Sequence, residues 1–466
     1  MHSSLSDVAV CPRCRTPALQ AFTGDSDTCA VCGNCVFDLG GVPCWFPSGT
    51  LQRDLWEDLS AKFLEQVEES RHQHLAELGQ PGLTPQTRQR LATMLEMRMG
   101  TADSIAGLLR TAGISPRKHA RFASYTPESF VQYYELMLRD WAWHSLGEDT
   151  YRTYQDENRE SLDAVCRVLD AAGTGSFGRV LVLGSGAGRL SWDLHQMLKP
   201  QFTVALDQHP LLIFVSHLLV RQGGSLSLFD TRKLPQQGLP QIHEWVLRCP
   251  AAAPAQHESW FAIAGDAWHL PFAEQSFDLV VTPWFVDITG KDCKSLMALV
   301  ERVLKPGGCW LNHGPLLYSD TLPESQKYTF AELRELLSLG HFQLQAESFS
   351  LSSYTHSPLS QRGRLEEVWT FVARSASNRQ HLANAGNRSN TVSSMDPPPW
   401  MVLPHLPVPR LTKPGLFPAE LDNIARLIDG TRSINQLAEI LAPKLPEGHD
   451  ALAFVYGFFT EYVIDR

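Results

Sequence analysis

"GRVLVLGSGAGRLSWDLHQ", residues 178–196, changes pattern twice: an apolar run from Val180 to Leu183 gives way to alternating glycines and then to a helical rhythm. Four apolar residues without polar alternation suit a strand buried on both faces, and glycines let the chain turn tightly while a ligand approaches the backbone. The stretch reads as strand, ligand-binding turn and helix, with Gly184, Ser185, Gly186, Gly188 and Arg189, the residue that opens the helix, as candidate ligand-binding residues. Arg189 stands where a dinucleotide-binding fingerprint has its last glycine, so no pyrophosphate need be cradled here.

Working outward, the same ending recurs. "FTVALDQ" (202–208) is a second strand closing on Asp207, an acid placed about twenty residues on to accept hydrogen bonds from ribose hydroxyls; its ordinary alternative is a helix N-cap. "FAIAGDAWHLPF" (261–272) runs into Asp266 and Ala267, and "SFDLVVTPWFVDI" (276–288) into Pro283 and Asp287. "LVERVLKPGGCWLNHGP" (299–315) supplies a helix, a Pro-Gly-Gly turn and a fifth strand that delivers His313. Alternating strand and helix signals predict an α/β fold with a Rossmann-like parallel sheet, in which ligands bind beyond the carboxyl ends of the strands. Every polar residue named lies at such an end.

A chain of 466 residues exceeds one ordinary domain. Its 43% hydrophobic and 19% charged content is that of a soluble globular protein, and a net charge of -10 disfavours nucleic acid as a partner. "HPLLIFVSHLLV" (209–220) is too short and too polar to span a bilayer, so no membrane is involved and a cytoplasmic location is expected. Residues 51–172 form a helical cover, with Leu51, Leu55, Leu59 and Phe63 recurring every fourth residue. Residues 173–376 form the α/β domain that carries the glycine turn, and the Asn- and Ser-rich stretch 377–400 is a linker. Residues 401–466 make a small helical module in which "SINQLAEIL" (433–441) is a capped helix.

Five of the ten cysteines crowd into "CPRC" (11–14) and "CAVCGNC" (29–35). Two such knuckles present four thiolates to one structural Zn²⁺, which stabilises a piece too small to own a core. Cys11, Cys14, Cys29 and Cys32 are the expected ligands, with Cys35 able to replace Cys29 or Cys32; the alternative is a set of free thiols. With "FDLGGVP" (37–43), residues 1–50 resemble the zinc ribbon of Trm112-like proteins. The step "IDGTRSI" (428–434) resembles the winged-helix module of PqqD-like proteins, whose relatives bind peptide leaders by strand addition, so the resemblance implies a peptide partner for the C-terminal module; the alternative is a domain that docks on the catalytic unit.

Taken jointly, "GSGAG", the acid after the second strand, "GDA" and "SFDLVV" before "LKPGG" resemble a class I S-adenosylmethionine-dependent methyltransferase. "LRDW" (138–141), "FVDI" (285–288), "LKPGGCWLNHGPLLY" (304–318), "SSYT" (352–355) and "EEVWTFVAR" (366–374) are similar, in order and spacing, to the carnosine N-methyltransferase family. The resemblance implies that Gly184, Gly186, Gly188, Asp207, Asp266 and Ala267 hold S-adenosyl-L-methionine, that Asp287 binds the imidazole of a small-molecule or peptide substrate, and that Tyr354 lines the same pocket. Where the family reads "LLYH" this chain has Ser319, and His313 is the candidate substitute. For an imidazole nucleophile, Asp287 would fix the tautomer and stabilise the ring charge that grows during transfer. Ordinary packing is the alternative for Tyr354 and His313, and a helix N-cap for Asp287. A methyltransferase acting on protein or RNA through its ribbon and a non-catalytic peptide-binding scaffold are the other functional readings.

Overall fold

The apolar run 180–183 lies in the central strand of a nine-stranded sheet in the computed structural model, which describes residues 3–23, 26–116, 133–146, 156–231, 242–250, 252–319, 322–359 and 363–376, with short pieces between 427 and 455. The strands are β1 Phe37–Leu39, β2 Val42–Trp45, β3 Arg179–Leu183, β4 Phe202–Asp207, β5 Ser225–Thr231, β6 Ile242–Arg248, β7 Trp260–Gly265, β8 Phe277–Pro283, β9 Leu304–Gly314, β10 Phe342–Tyr354 and β11 Arg364–Ser375. The order across the large sheet is β1-β2-β7-β4-β3-β8-β9-β11-β10. From β7 to β9 every neighbouring pair is parallel, and β11 enters antiparallel between β9 and β10.

From β3 the chain first moves outward through β4 to β7, then returns to the other side of β3 for β8 and β9. The connections leave the sheet in opposite directions there, which opens a crevice at the carboxyl ends of β3 and β8. This is the Rossmann-like architecture expected from the sequence. The strands are so apolar because both faces are covered: Val180, Leu181, Val182 and Leu183 are all fully buried.

Helices Gly49–Leu78 and Pro85–Thr111 form the N-terminal cover. Leu59 and Phe63 are buried there as the fourfold spacing requires, whereas Leu51 stays exposed at the first turn. The helix Glu157–Ala171 packs Val165, Val168 and Leu169 against Val180, Val182 and Val372, so it belongs to the sheet's own helical layer. The wide gap between β4 and β7 holds an antiparallel pair, β5 and β6, which the sequence reading did not anticipate. No helix among the described residues is long and apolar enough to cross a membrane.

The ribbon does not hang free. Gly40 (φ 59°) and Gly41 (φ 89°) turn β1 into β2, and β2 then pairs in parallel with β7 through Cys44 and Trp45 opposite Ala264 and Gly265. The Sγ atoms of Cys11, Cys14, Cys29 and Cys32 all lie within 4.8 Å of one another. Cys11 and Cys32 are 3.7 Å apart, and Cys14 and Cys29 are 3.6 Å apart. A zinc ion about 2.3 Å from four tetrahedral sulfurs needs S–S separations of about 3.8 Å, so the four thiols fit that metal. Cys35 lies outside the cluster and points to its neighbour, Val36 O, at 3.4 Å.

At the C-terminal end, helix Ile434–Leu441 carries the anticipated capping box: Ser433 Oγ accepts from Gln436 N–H, and the Gln436 side chain accepts from Ser433 N–H. The linker 377–400 and most of the module after it lie outside the described residues.

Candidate active site

The crevice begins at the glycine turn. Gly184 adopts φ 65°, and a Cβ there would come within 2.3 Å of the Phe285 ring. Gly184→Ala should therefore destabilise the fold by about 2–4 kcal/mol, from combined backbone strain and overpacking. Urea unfolding would report the loss, and Phe285→Leu should recover part of it by making room. At Gly186 the situation is the reverse: φ is 58°, and a Cβ would meet no atom within 4 Å. The backbone at Gly186 faces open space.

Asp207 closes one side of that space. Its Oδ2 accepts from Gly186 N–H at 2.8 Å and its Oδ1 from His209 N–H at 2.8 Å, so one carboxylate ties the glycine turn to the end of β4. Burial pushes Asp207 up to about 6, against the pull of the backbone N–H groups of His209, Gly186 and Gln208. The N-cap of helix Pro210–Ser216 is His209, with no side-chain cap hydrogen bond, so Asp207 is not the N-cap that was its ordinary alternative.

Asp266 lies just past the end of the adjacent strand β7, where Asp207 is in register with Ala264. It accepts from Trp268 N–H at 2.9 Å and pairs with His269 Nδ1, capping the short turn Ala267–His269. Burial would raise its pKa, but the His269 hydrogen bond and charge, the Trp268 N–H and Lys291 outweigh that and hold it below the usual carboxylate range. Two acids thus flank the glycine turn with their pKa values shifted in opposite directions, Asp266 downward and Asp207 upward.

Ser185 Oγ is buried with no hydrogen-bond partner among the described residues. Arg189 faces elsewhere. Its guanidinium engages Asp193, one helical turn on, donates to Asp140 O at 3.0 Å and stacks over Trp141. Trp141 Nε1 in turn donates to Ala187 O at 2.7 Å, which fastens helix Tyr134–Trp141 across the glycine turn.

On the other side of the switch point, Asp287 is 4% exposed. Its Oδ2 accepts from Leu317 N–H at 2.9 Å, while Oδ1 has no hydrogen-bond partner among the described residues. Burial raises Asp287 to about 6, Glu366 adding to the rise and the Leu317 N–H and Arg364 opposing it. His313 sits opposite Pro283 on β9 and is 1% exposed. Its Nδ1 lies 2.9 Å from Thr370 Oγ1, and Nε2 is unpartnered among the described residues. Burial, helped by the charge of Arg139, brings it down to about 4, so the ring is neutral at pH 7.

The polar residues between Asn312 and Tyr318 divide by role. Asn312 is structural, its amide donating to Trp369 O and accepting from Thr282 Oγ1. His313 Nε2 and the buried hydroxyl of Tyr318 have no hydrogen-bond partner among the described residues. Asp320 lies outside the described residues.

Tyr354, at the carboxyl end of β10, reaches the same rim. Its ring lies 4.6 Å from that of Trp284, with the Arg364 and Arg139 guanidinium groups 4.7 and 5.7 Å from its centroid. Glu157 fixes the turn behind it by accepting from Thr355 N–H and His356 N–H at 3.0 and 2.7 Å. The reading from sequence passed over Trp284, Arg139, Glu157 and Tyr133. Trp284 holds a left-handed φ of 49° and donates its N–H to His313 O at 2.7 Å, so the ring of Tyr354 and the backbone of His313 meet at this residue. Such a conformation is costly for a bulky side chain and concentrates at functional sites. Its signal in the sequence was its place straight after the strand-ending Pro283. Tyr133 stacks edge-on against His209, and the fields of Asp207 and Tyr354 both add to the rise that burial gives its pKa.

Comparison with known proteins bears on the same segment. Residues 243–375 match the family described as carnosine N-methyltransferase. The mouse carnosine N-methyltransferase is 26% identical over 209 residues, covering 42% of this chain and 51% of that one. The Schizosaccharomyces pombe protein of the same description is 28% identical over 183 residues, covering 33% of this chain and 46% of its own. That of Dictyostelium discoideum is 34% identical over 82 residues, covering 17% of this chain and 18% of its own. The chain spans about half the length of the mouse and rat relatives it matches.

Proposed function

We propose, with the match of residues 243–375 to the carnosine N-methyltransferase family as premise, that the chain is an S-adenosylmethionine-dependent N-methyltransferase acting on an imidazole-bearing small molecule or peptide. The observation that carries the acceptor is Asp287: a buried carboxylate with one oxygen committed to Leu317 N–H and the other without a partner among the described residues, just beyond the strand next to the glycine turn.

For the cofactor, the residues present fit. The backbone at Gly186 faces open space, Asp207 would accept from the ribose hydroxyls, Asp266 would supply an ionised acceptor, and Ser185 Oγ has no hydrogen-bond partner among the described residues. S-adenosylmethionine held there supplies a methyl group on a sulfonium. The chain's own contribution is positional and electrostatic. Asp287 Oδ1 accepts the N–H of the acceptor ring, which fixes the tautomer and leaves the other ring nitrogen with its lone pair free. As the ring nitrogen took the methyl group from the sulfonium the positive charge would pass to the ring, where the Asp287 carboxylate would stabilise it. The ring proton facing Asp287 leaves with the product. His313, neutral and with Nε2 unspent, offers a second hydrogen bond in the place of the family's missing imidazole. Trp284 and Tyr354 wall the pocket and exclude water.

A labelled methyl donor offered with histidine, carnosine, histidine-containing peptides and matched compounds bearing phenyl in place of imidazole tests this reading. Label should appear on ring nitrogen of the imidazole set alone. Transfer to phenyl analogues, or only to amines, protein or RNA, would remove imidazole as the acceptor.

A further inference from the structure

The two zinc knuckles share one backbone design, whose corner is Arg15 in the first and Gly33 in the second. In the first, Cys11 N–H donates to Thr16 O and Arg15 N–H to Cys11 O, at 2.8 and 2.9 Å; in the second, Cys29 N–H donates to Asn34 O and Gly33 N–H to Cys29 O, again at 2.8 and 2.9 Å. The corner residue is left-handed in both, Gly33 at φ 70° and Arg15 at φ 65°. Glycine takes that conformation freely, whereas an arginine is disfavoured there. A side chain kept at a strained corner that its twin fills with glycine points to a use for the side chain.

That use is visible. Arg15 is half-buried, with Nη1 donating to Leu270 O and Nη2 to Phe272 O. Burial and the nearby charge of Arg302 draw its pKa down to about 10, so it stays cationic at neutral pH. The two carbonyls belong to the segment that leaves Asp266 through the turn Ala267–His269. Ribbon backbone holds the same segment: Val10 N–H donates to Pro271 O at 2.9 Å, and Ala273 N–H donates to Val8 O at 2.7 Å. Just ahead of Asp266, Trp45 of β2 lies opposite Gly265 of β7. The loop carrying Asp266 is therefore gripped by the ribbon before and after the acid.

We propose that Arg15 is a positioning residue of the cofactor site: it clamps residues 270–272 so that Asp266 is held ready for its ligand. The proposal rests on the S-adenosylmethionine reading above. Arg15→Gly copies the corner of the second knuckle, which relieves strain and leaves the four thiols in place, so full-length variant protein should keep its zinc by metal analysis. Calorimetry with S-adenosylhomocysteine should then show about tenfold weaker binding, and hydrogen exchange should quicken at residues 265–273 while the glycine turn 184–188 keeps its protection. Arg15→Lys, with one ammonium for two carbonyls, should fall between. Zinc-replete Arg15→Gly protein that binds the ligand as tightly as wild type overturns the proposal. Wild-type protein that fails to bind S-adenosylhomocysteine overturns the cofactor reading itself, and the exchange arm then decides separately whether Arg15 holds the loop.

Discussion

Asp287→Asn should lower kcat for methyl transfer to an imidazole acceptor by about 100-fold or more while leaving the affinity for S-adenosylhomocysteine unchanged. Asparagine keeps the size of the side chain and an oxygen for Leu317 N–H, but it removes the negative charge proposed to stabilise the acceptor ring as it becomes cationic. Losing one preorganised electrostatic contact of this kind costs about 10²–10³ in rate. The same variant should be at least as stable as wild type at pH 8. The folded protein raises Asp287 from its ordinary 3.8 to about 6, so between those values it holds a proton that the unfolded chain has released. Stability from this group therefore declines as pH rises through that window and stays reduced above it, and an uncharged amide removes the loss. Chemical denaturation and steady-state kinetics on one preparation would check both halves. A variant that loses activity because it has lost stability would contradict the assignment, as would one that retains full kcat.

What the sequence disclosed and what it hid follow from the kind of interaction involved. Strands buried on both faces leave continuous apolar runs, and turns that admit a ligand demand glycine; β3, β4, β7, β8 and β9 and the acids at their ends were therefore legible. The tetrad Cys11, Cys14, Cys29 and Cys32 was legible because metal ligands have fixed chemistry and spacing. The docking of β2 on β7 was not, since backbone pairing at a sheet edge needs no particular side chains. Trp284 was missed because its left-handed conformation is imposed by tertiary contacts. Glu157 was missed because its partners, Thr355 and His356, lie nearly two hundred residues away. Arg189 sits beside the glycines in the sequence, yet the i,i+4 geometry of its helix directs it to Asp193, a pairing that the "RLSWD" spacing carried all along.

Asp207→Ala should weaken S-adenosylhomocysteine binding by about 100-fold or more, the largest effect expected of any single change in the crevice. The carboxylate is the acceptor proposed for the ribose hydroxyls, and it also holds Gly186 N–H and His209 N–H at 2.8 Å. A hydrogen bond to a charged group contributes about 1.5–3 kcal/mol, so losing two to the ligand accounts for the expected drop before any loosening of the turn is counted. Asp207→Asn separates the two contributions, because it retains one acceptor oxygen and the side-chain volume; its affinity should lie between those of wild type and Asp207→Ala. pH provides an independent check. Burial lifts Asp207 to about 6, and ligand hydroxyls that donate to the carboxylate favour its ionised form, so wild-type binding should weaken as pH falls through about 6. Neither variant has that carboxyl, so each should lose the part of the pH dependence that belongs to it. Calorimetric titrations between pH 5 and 8 that gave all three proteins the same slope would place the titrating group elsewhere, and the glycine turn would then have to hold its ligand without help from β4.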